Sequence, residues 1–574
     1  MIETSSGGQQ ALVRLLKSTS SLPTVQRATS RGTTPWIVQF NDVLCEKWKS
    51  ALAADGAEIL GYIPENAWLV EASPDIFARI ASLDPVAWAG EYLPAYKKSR
   101  NLPEPPAEAA DCVVELFRTD DKPRIGRELG ELGVFVSRKD MQAEHEWFRV
   151  RLSPSQIDEV AHWGEVEWIE LDRKPQPWGA SVPAGVEAGD VAVALQQAFD
   201  EGARIHLLRQ GVADSGSYGA EARSLDRFVW EHSEMLVVAA AGNAAVDLNP
   251  ADGVVDAGSI GSPATAKNAL SVGAAEGRQD VPRAWRDSWP EDFAVEPIAL
   301  DRMAQADGPQ GLAAFSGRGP CADGRIKPDL VAPGTYVAVP RAPDSAYAGW
   351  GVAENPAEIY VGGTGVAAEQ IAAAAKQARQ WLVETRGIAA PSAALVKALL
   401  VSGARDLAPG QYGVGAKQEI PFGRPNNAQG AGLLDAAGVL EARAGETIDL
   451  HDAPGLATGA ADDYELAVGQ PGGRFALALA YSDPAVAPCA GKQLVNDLDL
   501  TVTTPAGAVL HANGRAEPDD LNNVEMIEFE TNDAGTYVAR VAARAVPMGG
   551  SQPYALVVRG PRTEAATAAA LEQP

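Results

Sequence analysis

The sequence predicts an α/β protein with a parallel-sheet core. Two ferredoxin-like α+β modules precede this core and an all-β sandwich follows it. Three observations carry the prediction. Strand-like and helical segments alternate from about residue 191 to 445, the signature of a parallel sheet covered by helices. A mixed strand and helix pattern occurs twice, in the same order, between residues 36 and 171. After Glu446 helical periodicity stops, and short alternating strands separated by turn residues take over.

Taken in order, residues 1–34 are polar and rich in Ser, Thr and Gly, with room for one short helix around Leu12–Leu16. Module 35–100 opens with WIVQF, passes through helical EKWKSALAADG to AWLVEA, and ends in SPDIFARIASLDPVAWAGEY. Module 101–177 repeats this with CVVELF, helical RIGRELGELG, EWFRVRL and SPSQIDEVAHWGEVEWIEL. Both place a Ser-Pro helix start before an apolar-periodic segment, so both read as β-α-β-β-α-β or close to it. The Pro-rich NLPEPPAEAAD joins them as an extended linker. Residues 178–445 form the α/β region: helical VAVALQQAFDEG, strand ARIHLL, helical ARSLDRFVWEHS, then the buried strands MLVVAAAGN and ALSVGAA. Residues 446–562 supply FALALAYSD, DLDLTVTTPAG, VEMIEFET, GTYVARVAA and YALVVRG, and 563–574 form a tail.

Composition excludes several function classes. The 574 residues carry 46% hydrophobic and 22% charged side chains at a mean hydropathy of -0.12, values of an ordinary multi-domain globular protein. A net charge of -28 and a pI near 4.7 argue against nucleic acid or an anionic membrane as partner. Cys45, Cys112, Cys321 and Cys489 lie far apart with no CxxC spacing, which argues against a zinc site or a disulfide framework. No apolar run reaches about 18 residues, and the N-terminus lacks a long apolar signal core. These features favour a cytoplasmic location.

Within 178–445, several phrases stand in a recognisable order: AAAGN, GSIGSPATAKNALSVGA, FSGRGPCADGRIKPDLVAPGT, YVGGTGVAAEQIAAAA, PSAALVKALLVSGARDL and NAQGAGLLDA. Together they resemble the subtilisin-like serine proteases, the subtilase or S8 family. The likeness is to the branch with a C-terminal β-sandwich, and LVNDLDLTVTTPAG, DDLNNVEMIEF and QPYALVVRG resemble that domain. The N-terminal repeat resembles the family's propeptide fold, present twice.

The resemblance implies specific roles. Asn243, after Gly242, stands at the oxyanion-hole position, where an amide donor contributes about 3 kcal/mol to acyl transfer in active enzymes. The nucleophile segment, G-T-S-M-A-T-P in active members, here reads Gly363, Thr364, Gly365, Val366, Ala367, Ala368 and Glu369. Gly365 replaces the serine and has no nucleophilic atom. The Asp-Thr/Ser-Gly and H-G-T-H-V-A-G motifs are not found, and only the short KPQPWGASVPAGVEAGD stands where they belong. That shortening implies a sheet short of central strands, whose vacated side the N-terminal repeats or a second chain would cover. Arg209 and Gln210 stand where the family reads S-W-G, on the wall that holds extended peptide. Of the six histidines, His145, His162, His206, His232, His451 and His511, those beside this region are His206 and His232, and both read as structural before catalytic. Thr364 beside the lost serine reads as turned away, and Glu369 reads as a dipole-matched residue before a general acid or base.

The C-terminal region offers oxygen ligands for a hard cation: Asp483, Asn496, Asp497, Asp499, Asp519 and Asn522, with Asp520, Asn523 and Glu525 beside them. The resemblance implies calcium there; the alternative is turn residues capping their own backbone. The expected function is that of a catalytically inactive protease homologue, a pseudoprotease acting through binding, scaffolding or regulation. Its partners would be a peptide, a protein, a second copy or another subtilase, and not nucleic acid or membrane. The alternatives are non-serine chemistry in the remodelled cleft through Arg209, His206 or Glu369, or a partner subunit of an active protease.

Overall fold

The computed structural model describes residues 28–561 except 42–45, 100, 106, 143–144, 174–175, 178–190, 307, 309–310, 343–348, 443–444 and 489. The helix expected around Leu12–Leu16, the tail 563–574, Cys45, Cys489 and most of the 174–190 connection therefore lie outside the described residues. The chain forms two compact units.

The first unit comprises residues up to 174 together with 486–495 and 545–550. Its first module runs β1 (Thr34–Phe40), α1 (Glu46–Ala54), β2 (Glu58–Ile63), β3 (Ala67–Ala72), α2 (Pro74–Ile80) and β4 (Val86–Glu91). The sheet order is β2-β3-β1-β4, antiparallel throughout. Ser73 starts α2 by accepting the Ile76 N–H, with Pro74 in the first turn, where its missing N–H costs nothing. Residues 486–495 come from the C-terminal part of the chain, and Ala487 packs with Ile37 and Leu69 while its N–H donates to the Tyr62 carbonyl at 3.2 Å.

The second module runs β5 (Ala110–Leu116), α3 (Lys122–Glu131), α4 (Arg138–Gln142), β6 (Trp147–Leu152), α5 (Pro154–Ala161) and β7 (Val166–Leu171). Its sheet has three strands, in the order β6-β5-β7. The second module thus departs from the first: short α4 stands where the first has strand β2. Ser137 explains the switch, because its hydroxyl accepts the Asp140 N–H at 3.0 Å and caps a helical turn. Ser153 and Gln156 form the capping box that starts α5.

The second unit comprises residues 175–485, 496–544 and 551 onward. It begins with β8 (Gln176–Pro177), α6 (Val191–Asp200), β9 (Ile205–Leu208), β10 (Gln210–Gly211), α7 (Ala220–Glu231), β11 (Leu236–Ala240) and β12 (Leu270–Ala275). There follow β13 (Val281–Ala284), α8 (Trp285–Ser288), β14 (Arg302–Ala304), β15 (Leu330–Pro333), β16 (Val337–Pro340), β17 (Gly351–Val352) and β18 (Glu358–Val361). Three helices then lead out of the α/β region: α9 (Thr364–Glu384), α10 (Ala393–Ser402) and α11 (Ala436–Leu440).

The central sheet is parallel, in the order β15-β12-β11-β9. Strand β11 shows why its sequence reads as an unbroken apolar run. Leu236, Val238 and Ala240 face one core with Ile371 of α9 and Leu395 and Leu399 of α10. Val237 and Ala239 face the other, with Leu195 of α6 and Leu225 and Val229 of α7. Among the described residues β9 is the sheet's edge, and all four of its side chains are only half-buried.

The C-terminal part contributes β19 (Glu446–Leu456), β20 (Ala461–Val468), β21 (Arg474–Ala480), β22 (Asp497–Thr503), β23 (Val509–His511), β24 (Val524–Glu530), β25 (Gly535–Ala545) and β26 (Gln552–Pro561). They form two four-stranded sheets, β19-β26-β21-β24 and β20-β25-β22-β23. Alternation along β25, where Tyr537, Ala539, Val541 and Ala543 are buried, is the period-2 pattern expected of a strand with one covered face.

Candidate functional site

The site is built where β11 and β18 deliver their chain to the start of α9. Strand β18 ends at Val361, and Gly362 and Gly363 carry the chain into the helix. Gly362 has no room for a side chain, since a Cβ there would lie 2.1 Å from the Trp350 ring. Gly363 adopts φ 132°, a conformation open to glycine, and its N–H donates to the Gly334 carbonyl at 2.8 Å. Trp350 belongs to an aromatic cluster with Trp289, Phe315 and Tyr336.

Asn243 follows β11 through Gly242, whose φ of 107° turns the chain towards α9. The Thr364 N–H and hydroxyl both donate to Asn243 Oδ1 at 2.9 Å, and the Gly242 N–H donates to the Thr364 hydroxyl at 3.1 Å. The carboxamide oxygen is thereby saturated, which turns the NH2 end of Asn243 into the donor that remains. Thr364 is fully buried with its hydroxyl engaged, and Gly365 is the buried second residue of α9. Gly242, Asn243, Gly363, Thr364 and Gly365 are thus one connected unit at the helix N-terminus.

Arg209 lies between β9 and β10, and its guanidinium donates to the Glu369 carboxylate of α9. Both side chains are partly exposed, so the pair contributes at most about 1 kcal/mol to stability. Gln210 lies in β10, whose ladder is already taken: Gln210 pairs with Pro177 and Gly211 with Gln176, antiparallel. His206 sits on β9, with burial holding its imidazole below the ordinary range. His232 caps α7, stacks on Phe228 and interacts through Nδ1 with the Phe228 carbonyl at 3.0 Å.

Of the cation ligands expected from the sequence, Asp497, Asp499 and Asp519 lie close enough to Glu525 for their charges to raise it. Among the described residues no three His, Cys, Asp or Glu side chains are placed to hold a metal ion. Asp483 is fully buried against Lys267. Asn496 donates to the Gln552 side chain at 2.7 Å. Asp519 accepts from the Asn513 and Asn522 side chains at 2.6 and 2.8 Å and from the Leu521 N–H at 3.0 Å, which is turn capping. Asp497 and Asp499 lie buried on β22. Asp499 is pushed up to about 6 by burial, and buried Glu525 beside it is raised further by burial and then by the Asp499 charge.

Sequence reasoning missed a second set of groups, at the end of β12. Glu276, Asp301 and Glu419 form a largely buried network with Gln305, Gln411, Tyr412 and Arg318. The available signal was weak: a carboxylate directly after the apolar run LSVGAA, and another directly before IPF. Buried Lys327 and Lys397, both close to the Ala269 carbonyl, were also missed as a pair; Lys327 forms an ion pair with Asp329 at 2.6 Å.

Residues 179–432 match the subtilase family, peptidase S8. Residues 7–93 match a family described as a domain of unknown function. Among curated proteins the chain is similar to two serine protease/ABC transporter B family proteins of Dictyostelium discoideum. It is 24% identical to tagA over 448 residues, covering 63% of this chain and 24% of that protein. With tagB the figures are 25% over 498 residues, 67% and 25%. The chain therefore spans about a quarter of the length of these relatives. Among solved structures it is similar to the epidermin leader peptide processing serine protease EpiP of Staphylococcus aureus. That match is at 14% identity, 71% of this chain and 98% of that chain, with a TM-score of 0.25. No helix among the described residues is long and apolar enough to cross a membrane. Over residues 179–432, this chain is similar to the subtilase family.

Proposed function

We propose that this chain is a pseudoprotease: a subtilase-family protein that keeps the scaffold of the reaction centre and acts by binding a peptide or protein. The observation that carries this reading is Gly365, seated at the N-terminus of α9 next to an Asn243–Thr364 pair already oriented by hydrogen bonds. A glycine there supplies no nucleophile, while the Asn243 amide remains a donor for a carbonyl of a bound chain. In this reading the α/β core is a truncated subtilisin-like sheet, the two N-terminal modules are propeptide-like, and the C-terminal sheets form a sandwich. Two contacts support a closed peptide-holding wall: β10 carries a strand of the same chain, and Arg209 and Glu369 neutralise each other across it. That mutual neutralisation favours this reading over non-serine chemistry through Arg209. The partner is a peptide or protein, with another subtilase or a second copy as the leading classes.

An activity-based fluorophosphonate probe tests the reading. The purified chain and Gly365→Ser are both expected to remain unlabelled and to show no burst with peptide substrates. The intact mass of the chain should stay constant on prolonged incubation, with no cut between residues 172 and 200. Labelling of the wild type, or a burst with Gly365→Ser, would overturn it.

Calcium in the C-terminal region remains part of this proposal, resting on the family resemblance and the buried carboxylates Asp499 and Glu525. Both have raised folded pKa values, so their protons stabilise the fold at low pH; the share of Asp499 is lost as pH rises from about 4 through about 6, and that of Glu525 at higher pH. With calcium bound, millimolar Ca2+ should raise Tm at about pH 8 and leave it unchanged at about pH 4. An equal Tm with calcium and with chelator at about pH 8 removes the metal from the reading.

A further inference from the structure

The network at the end of β12 joins three stretches of chain that are distant in sequence. Glu276 follows β12 directly and is fully buried. Asp301 and Gln305 come from the long excursion between β12 and β15, and Gln411, Tyr412 and Glu419 come from the loop after α10. The Gln411 amide bridges the acids, donating to Asp301 at 2.6 Å and to Glu276 at 3.3 Å. The Gln305 amide donates to Gln411 at 2.7 Å and to Glu276 at 3.3 Å. The Tyr412 hydroxyl donates to Asp301 at 3.0 Å. Glu419 accepts the Leu312 N–H at 2.8 Å and faces the buried guanidinium of Arg318 at 3.6 Å.

The formal charges of this cluster do not balance. Among the described residues, the titratable and charged groups that face one another are Glu276, Asp301, Glu419, Tyr412 and Arg318. Three carboxyl groups therefore meet one full cation in a largely water-excluded place. With all three ionised, two negative charges would go uncompensated where water cannot solvate them. Such a cluster holds together when protons are shared between its acids, as adjacent carboxyl groups do elsewhere. Burial is the first cause in each case, raising Glu276 well above the carboxylate range, Glu419 to about 7 and Asp301 to about 6.

The network also has a mechanical connection to the α9 turn. The Gly363 N–H donates to the Gly334 carbonyl at 2.8 Å, and the Gly334 N–H donates to the Ala275 carbonyl at 2.8 Å. Ala275 is the residue before Glu276. Two backbone hydrogen bonds thus tie the turn before Gly365 to the strand that ends in the acid cluster.

We propose that the Glu276–Asp301–Glu419 network is a proton-operated latch. Protonated, it clamps the segments around 298–305 and 409–420 onto the end of β12; deprotonated, its acids repel and the segments loosen beside the α9 turn. The sign follows from raised folded pKa values: the clamp is at full strength below about pH 4 and weakens as pH rises through about 6 and about 7, where Asp301 and Glu419 lose their protons. The latch does not depend on whether the cleft is catalytic, so failure of the pseudoprotease reading leaves it standing.

Amide hydrogen exchange on the full chain, at about pH 5 and about pH 8 and corrected for intrinsic rates, tests it. Protection in 298–305 and 409–420 should fall about tenfold at the higher pH, with β11 and β12 unchanged. Glu276→Gln and Glu419→Gln, which mimic protonated acids, should hold that protection at the higher pH. Equal wild-type protection at both pH values, or the same loss in folded Gln variants, overturns the latch. If a variant does not fold, the wild type still decides by infrared spectroscopy. A protonated carboxyl C=O band should be present at about pH 5 and weaken by about pH 8, as Asp301 and Glu419 ionise; its absence at the lower value, or equal intensity at both, overturns the proposal.

Discussion

Lys267→Ala is expected to destabilise the second unit by about 3–5 kcal/mol. Lys267 and Asp483 are both fully buried and form an ion pair, and the Lys267 ammonium also donates to the Pro484 carbonyl. The carboxylate is held in place from its other side, since Asp483 Oδ1 accepts the Asn496 N–H at 2.7 Å. The Asp483 backbone is fixed as well: its N–H donates to Asn268 Oδ1 at 2.8 Å, and its carbonyl accepts from Asn268 Nδ2 at 2.8 Å. Removing the ammonium therefore takes the ion-pair partner from a carboxylate that cannot turn to water. Lys267→Met should be nearly as damaging, because it restores the packing and leaves the charge. The Lys267→Met, Asp483→Leu pair should recover most of the loss, since the uncompensated charge is then gone. Urea denaturation midpoints followed by circular dichroism measure this. A loss below about 1 kcal/mol in Lys267→Ala would mean that the pair is hydrated.

Arg559→Ala is expected to cost about 3 kcal/mol. Arg559 on β26 is buried, and its guanidinium fastens two helices. Its Nε donates to the Ser402 hydroxyl at 2.8 Å, Nη1 to the Gly438 carbonyl at 2.7 Å and Nη2 to the Val439 carbonyl at 2.7 Å. These acceptors lie at the end of α10 and within α11, so one side chain satisfies helix-end carbonyls that would otherwise be orphaned. Alanine removes the donors and leaves the acceptors buried. Arg559→Lys should recover less than half, because an ammonium cannot reach three acceptors fixed in a planar fork. Urea midpoints of the wild type, Arg559→Ala and Arg559→Lys, measured side by side, give the comparison. Wild-type stability in Arg559→Ala would show that the fastener is redundant.

How far each feature was legible depends on the range over which its cause acts. Strand β11 was readable because both its faces are covered, so burial wrote an unbroken LVVAA into five consecutive positions. The start of α9 was readable because Gly363 must adopt φ 132° and the alanine spacing beyond it is helical. The Ser-Pro starts of α2 and α5 were readable because a cap and its N–H lie three residues apart. The α4 turn of the second module was not, since VFVS has strand propensity and only the Ser137 cap reverses it locally.

The acidic residues of the C-terminal region show the opposite case. Asp483 looked like a cation ligand because Asp and Asn residues follow it closely in the chain. Its actual partner, Lys267, is 216 positions away, and no local pattern encodes that distance. The Glu276 network is unreadable for the same reason: its acids come from three separate stretches and look like solvated charges in each. The motifs in which this chain resembles the subtilases, and the glycine at position 365, are local facts that survive without coordinates. Which charges are buried together, and which protons or cations they then require, depends on long-range packing. Desolvation acts on whatever the fold brings near, and proximity in the fold is what a linear pattern of residue types leaves open.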